Sequence, residues 1–128
     1  MDQLIKEALK QDVWAVVGAT TNVSKFGYKI YMRLKNAGYE VYPVNPVYDE
    51  VDGDTCYNTV EDLPVIPGCV DMVVSPERGE PMFEAMKSKG IKKVWFQPGT
   101  YNDDLIGKAE NIGFEVIYDR CVLVELSR

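Results

Sequence analysis

With 128 residues, 20 acidic against 14 basic side chains and a formal charge of −6, the chain is sized for one domain, residues 1–128, and lacks the clustered Lys and Arg that nucleic acids or anionic membrane surfaces require. It contains no histidine, which removes Ser-His-Asp and Cys-His nucleophile pairs, His-ligated zinc and phosphohistidine from its repertoire. Cys56, Cys69 and Cys121 match neither a disulfide framework nor a C-x-x-C pair, and the start MDQLIKEALKQD lacks the features of a signal peptide, so reduced thiols and a cytoplasmic location are expected.

The elements alternate strand and helix from the start. Leu4 to Lys10 reads as a short leading helix, and the apolar run Val13 to Val17 as a central parallel strand buried on both faces. Phe26, Ile30, Leu34 and Ala37 recur at helical spacing up to a C-terminal Gly38, and Glu40 to Val44 forms a second strand closed by Asn45-Pro46. Between Val47 and Leu63 the pattern predicts a turn and a short helix. The acids Asp49, Glu50, Asp52 and Asp54 read there as a solvated turn, since they lack the spacing of a calcium loop.

A third strand is expected over Val70 to Val74, stopped by Ser75-Pro76, then a helix over Pro81 to Lys89 ended by Gly90. Lys92 to Phe96 is a fourth strand running into Gln97-Pro98-Gly99. Tyr101 to Asn111 is a helix with Asn102 or Asp103 near its start, and Glu115 to Tyr118 and Val122 to Leu126 supply the last strands. This alternation predicts a Rossmann-like, doubly wound α/β fold with a mostly parallel sheet and helices on both faces. Trp14 and Trp95 are expected in packing positions, and Tyr28 and Tyr31 on the first long helix fit either a dimer contact or a ligand contact.

The breakers Gly18, Asn45-Pro46, Ser75-Pro76, Gln97-Pro98-Gly99 and the Arg120-Cys121 corner all follow carboxyl ends of strands, the edge where open α/β sheets bind ligands. The stretch VVGATTNVSKFG has the strand-turn-helix form of a phosphate site. It departs from the dinucleotide fingerprint G-x-G-x-x-G, with Thr20 and Val23 at the second and third glycine positions. The end of the second strand also carries Asn45 where a dinucleotide fold places an acid for the ribose hydroxyl. These departures weigh against an NAD(P)-binding oxidoreductase, which stays as the alternative reading.

The pattern VVGAT…FG…GYEVYPVNP…DLP…VD…V…GIKKVWFQPG…GFEVIYDRC, from about Val13 to Glu125, resembles the stand-alone coenzyme A binding domain proteins, related to the N-terminal domain of the succinyl-CoA synthetase alpha subunit. The resemblance implies that Gly18, Ala19, Thr20, Thr21 and Asn22 cradle the CoA phosphates, with Gly27 opening the next helix beside them. It implies further that Asn45 and Pro46 border the adenine and ribose, that Ser75 and Pro76 form the neighbouring wall, and that Gln97, Pro98 and Gly99 meet the pantetheine arm or the diphosphate. Cys121 falls where the family carries a recurrent cysteine; from the residues alone it reads as a small buried hydrophobe.

Two departures qualify the transfer. Relatives often carry a lysine after the Asn-Pro, where this chain has Val47 and Tyr48, and Lys25 in the first loop is the substitute cation at hand. The ligase's catalytic domain and phosphohistidine are missing from the matched stretch, so the resemblance implies binding of CoA or an acyl-CoA without catalytic machinery. A homodimer, or a separate catalytic subunit that this chain serves as an accessory, remains the expected kind of protein partner.

Overall fold

A computed structural model describes residues 1–128. Helix α1 (Asp2–Leu9) leads into β1 (Val13–Val17), α2 (Phe26–Asn36) and β2 (Glu40–Val44). A hairpin of β3 (Glu50–Val51) and β4 (Asp54–Thr55) and a 3-10 turn at Val60–Asp62 precede β5 (Cys69–Met72). Then follow α3 (Pro76–Gly79), a 3-10 turn, α4 (Phe83–Lys89), β6 (Lys93–Phe96), α5 (Asp103–Ile112), β7 (Glu115–Ile117) and α6 (Val122–Glu125). No helix is long and apolar enough to cross a membrane.

The main sheet has five strands in the order β2-β1-β5-β6-β7, every pairing parallel. Side chains alternate between its faces, so each strand feeds two cores. On one face Ala15, Val17, Val70, Met72, Val94 and Phe96 pack against Phe83 and Met86 of α4 and Leu105, Ile106 and Ala109 of α5. On the other, Trp14, Val16, Trp95 and Ile117 meet Ile5 and Ala8 of α1, Ile30, Tyr31 and Leu34 of α2, and Val122 of α6. Trp14 and Trp95 are fully buried with ring centroids 6.0 Å apart. This is an α/β Rossmann-like fold.

Local chemistry explains most element ends. Asn102 caps α5 by accepting from the Leu105 N–H at 2.8 Å, and Gly90 and Gly113 end α4 and α5 in the left-handed conformation. The hairpin turns at Asp52 (φ 52°) and Gly53 (φ 79°), the Asp-Gly pair that two-residue turns favour. Its acids are engaged by α2: the Tyr31 hydroxyl donates to Asp54, and Lys35 pairs with Asp52 at 2.9 Å and Asp54 at 2.6 Å. Tyr31 is therefore a fully buried strut of the second core, which removes it from the surface contacts expected of it.

The β3–β4 hairpin stands where only a turn and a short helix are expected, and three further elements differ. Val122–Leu126, expected as a last strand, is helical from Val122 to Glu125. Asp119 at φ 60° turns the chain away from the sheet edge after β7, and the short apolar run suits a helix that buries Val122 and exposes Val124. The helix expected from Pro81 begins with α3 at Pro76, because Ser75 is its N-cap and Pro76 the first helical residue. The third strand stops at Met72, leaving Val73 and Val74 in the loop beyond it.

Candidate functional site

The order β2-β1-β5 creates a switch point. After β1 the chain passes to α2 on one face of the sheet, and after β5 it passes to α3 and α4 on the other. The two loops diverge and open a crevice at the carboxyl ends of β1 and β5, where open α/β sheets take their ligands. A cleft of about 530 Å³ occupies that place. Gly18, Thr20, Lys25 and Gly27 line it from the β1 side, Asn45, Val47 and Tyr48 from β2, Val73 to Ser75 and Arg78 from β5, and Pro98 to Thr100 from β6.

The floor is built by backbone packed too closely for side chains. Gly18, at φ 100°, donates its N–H to the Val44 carbonyl at 2.9 Å; a Cβ there would lie 2.6 Å from the Val73 carbonyl oxygen. At Gly27 a Cβ would lie 2.1 Å from the Gly18 carbonyl oxygen, so the start of α2 rests directly on the β1 turn. Lys25 is the N-cap of α2 and makes no side-chain cap bond. The Phe26 and Gly27 N–H groups, which have no intrahelical acceptor, and the positive end of the helix dipole lie at the cleft.

Polar side chains fasten the tips together. Asn45 donates from Nδ2 to the Ala19 carbonyl and accepts at Oδ1 from the Val47 N–H, both at 3.0 Å. Thr20 Oγ1 shares a 2.7 Å hydrogen bond with the Tyr48 hydroxyl and accepts from the Asn22 N–H at 3.1 Å. The Thr20 bond, with help from Thr21 and the Lys25 charge, holds the Tyr48 phenol below its ordinary range. Tyr48, read in the sequence as a lost cation, is thus a bridge between the β1 and β2 tips. Replacing Asn45 by alanine removes both of its side-chain bonds at once. We expect a loss of about 1–3 kcal/mol of stability, measured by urea unfolding, and a weaker ligand response because the β1 and β2 tips come apart.

The charge pattern is one-sided. No Asp or Glu lines the cleft of this acidic protein, whereas Lys25 and Arg78 both do. Neither cation pairs with a carboxylate. Phe26 and Val47, both largely exposed, add apolar surface to the lining, and Lys29 Nζ sits 5.7 Å from the Phe26 ring centroid.

Of the residues singled out in the sequence, Gly18, Thr20, Lys25, Gly27, Asn45, Ser75, Pro98 and Gly99 meet around the cleft. Ala19, Thr21, Asn22, Pro46, Pro76 and Cys121 do not line it: Ala19 is buried, Asn22 braces the loop by accepting from Ser24, and Cys121 is the half-buried N-cap of α6. Gln97 lies beneath it. Its Nε2 donates to Asp71 Oδ1 at 2.7 Å, and its Oε1 accepts from the Val122 N–H at 3.2 Å. Asp71, fully buried mid-strand in β5, has its other oxygen unpartnered, and burial pushes its carboxyl up to about 8 although the Gln97 bond opposes the shift. The acids of the hairpin region join no group of three or more that could hold a metal ion.

Arg78, Tyr48, Phe26 and Thr100 are cleft residues that the sequence reading did not select. Arg78 was recoverable: Ser75-Pro76 is an N-cap and first-turn proline, and counting from it puts Arg78 in the opening turn of a helix at the strand tip.

Known proteins share this fold. The CoA binding domain family matches residues 12–127. The chain belongs to the CoA-binding domain family. A hypothetical protein from Pyrococcus horikoshii superposes on the domain with a TM-score of 0.91 at 35% identity, covering 99% of this chain and 89% of that one. An ADP-forming acetate–CoA ligase of Methanocaldococcus jannaschii is 34% identical over 82 residues, 61% of this chain but 11% of the ligase. The alpha subunit of the ADP-forming acetate–CoA ligase II of Pyrococcus furiosus is 31% identical over 123 residues, 84% of this chain and 26% of the subunit. The CoA-binding domain described here therefore spans about a tenth to a quarter of these ligase chains.

Proposed function

We propose that this CoA-binding domain holds coenzyme A or an acyl-CoA in the β1–β5 crevice and performs no bond-making step itself. The observation that carries the reading is a cleft with two unpaired cations and no acid in a protein of charge −6. Such a site suits a polyanion. The CoA phosphates would lie against Gly18, Thr20, Lys25 and the start of α2, where the two glycines leave room for close backbone approach. Phe26, Val47 and the Asn45 loop would meet the adenosine, Ser75 would form the wall beside it, and Pro98, Gly99 and Thr100 would border the arm. The thiol of the bound coenzyme is what carries the acyl group.

A nicotinamide dinucleotide fits less well, because the cleft offers no carboxylate for a ribose hydroxyl. One experiment separates the readings: thermal unfolding with CoA, acetyl-CoA, NAD and NADP in parallel. At about 100 times its dissociation constant a ligand adds roughly 2.7 kcal/mol, which raises Tm by roughly 10 °C for a domain of this size. A shift with CoA species and none with NAD or NADP is expected; the reverse would overturn the proposal.

The small share of the ligase relatives that this chain matches favours one further reading, in which it serves as an accessory subunit lending its coenzyme to a separate catalytic chain. Affinity purification from the native cell tests that, with an acyl-CoA ligase subunit as the expected companion and recovery of the chain alone, or as a homodimer, counting against it.

A further inference from the structure

The two free cations of the cleft do not stand side by side. Lys25 begins α2, which packs on the Trp14–Trp95 face of the sheet. Arg78 lies on α3, on the opposite face: a Cβ on its neighbour Gly79 would lie 3.0 Å from Met72 Cε and 3.5 Å from Val74 Cγ2, both members of the α4–α5 core. The crevice runs between them, and both side chains line it without a carboxylate partner. A ligand with one compact anionic group would engage one of these cations and leave the other idle. Two cations on opposite walls suit a ligand with two anionic groups set apart.

The two positions also differ in chemistry. Lys25 stands beside Gly18 and Gly27, where backbone donors come close, and an ammonium acts there as a point charge suited to a diphosphate bridged within a chain. Arg78 offers a planar fork of donors that matches a terminal phosphomonoester, a dianion with three free oxygens. Its wall supplies a hydroxyl as well, since Ser75 caps α3 without spending its side chain on a cap bond.

We propose that Arg78 is a specificity-determining residue: with Lys25 holding a diphosphate, it binds a separate phosphomonoester, so the site selects a 3′-phosphorylated adenosine diphosphate ligand over the same ligand without the 3′-phosphate. This deepens the CoA reading and rests on it. It also answers the replacement of the family's lysine by Val47 and Tyr48, because the cation is supplied from the β5 tip instead of the β2 tip.

The test is calorimetric titration of the intact protein with CoA and with 3′-dephospho-CoA, for the wild type, Arg78→Ala, Arg78→Lys and Lys25→Ala. The wild type should prefer CoA by roughly 10- to 100-fold, the value of one charge-assisted contact. Arg78→Ala should erase that preference by weakening CoA alone, Arg78→Lys should restore part of it, and Lys25→Ala should weaken both ligands and keep the ratio. Arg78 is exposed and unpaired, so its variants should unfold at the wild-type temperature without ligand. Equal affinity of the wild type for the two ligands, or an Arg78→Ala variant that keeps the preference, overturns this proposal and leaves the CoA reading intact. A wild type that binds neither ligand removes both.

Discussion

Gly27→Ala should lose about 2–3 kcal/mol of stability and its response to CoA, although alanine is the better helix former. In an open helical position the exchange gains up to about 1 kcal/mol, because alanine restricts the unfolded chain. At Gly27 the new Cβ would sit 2.1 Å from the Gly18 carbonyl oxygen and 3.1 Å from its carbon, and neither atom belongs to a flexible side chain. The start of α2 must therefore lift off the β1 turn by about an ångström. Overpacking of this kind costs typically 1–3 kcal/mol, and a collision with backbone lies at the upper end, so the clash outweighs the propensity gain. The same lift separates the first-turn N–H groups and Lys25 from Gly18, which is the floor of the cleft.

A built-in control lies elsewhere in the fold. Gly107 is exposed on α5, and a Cβ there would meet nothing within 4 Å. Gly107→Ala should be stabilising by about 0.5–1 kcal/mol with CoA binding unchanged. Urea unfolding and titration of the two variants side by side check the contrast. A Gly27→Ala protein as stable as wild type would show that the β1 turn and α2 are not in close contact, and the site as described would fall with it.

The two glycines show why so much of the site was legible in the sequence. A strand ending in Gly18, with Gly27 opening the next helix, is a local pattern whose geometry is dictated by close backbone approach, and the tips that follow β2, β5 and β6 announce themselves by Asn-Pro, Ser-Pro and Pro-Gly. What the sequence concealed were contacts between segments far apart in the chain. Tyr48 reads as a missing cation until Thr20, 28 residues earlier, is found bonded to it. Gln97 reads as one more strand-tip residue facing a ligand, and only the fold shows it turned inward to Asp71 and to the first N–H of α6. The misread last strand has a related cause: Val122–Leu126 carries no period that separates strand from helix, and the decision is made by the Asp119 turn and by packing against α2.

Asp71 leads to the second large effect, a fall of stability with rising pH at about 1.4 kcal/mol per unit between roughly pH 5 and pH 7. The carboxyl is fully buried in the central strand β5 between Val16 and Trp95, with one oxygen bonded to Gln97 and the other unpartnered. Desolvation pushes it up to about 8 in the folded protein, against about 3.9 in an unfolded chain. Because the folded value is raised, the folded state keeps a proton that the unfolded state has released. The contribution is therefore fully present below about pH 4 and is lost as pH climbs towards 8. No histidine titrates in this window, and the buried thiols Cys56 and Cys69, whose values burial raises, act only at higher pH. Asp71→Asn keeps an acceptor for Gln97 and removes the ionisable group. Urea unfolding from pH 5 to pH 8 should give a sloping line for the wild type and a flat one for Asp71→Asn, with the variant the more stable protein at pH 8. Parallel lines would mean that water or a shift of Gln97 solvates the carboxylate, and that the base of the Pro98-Gly99 tip is held by something other than a protonated acid.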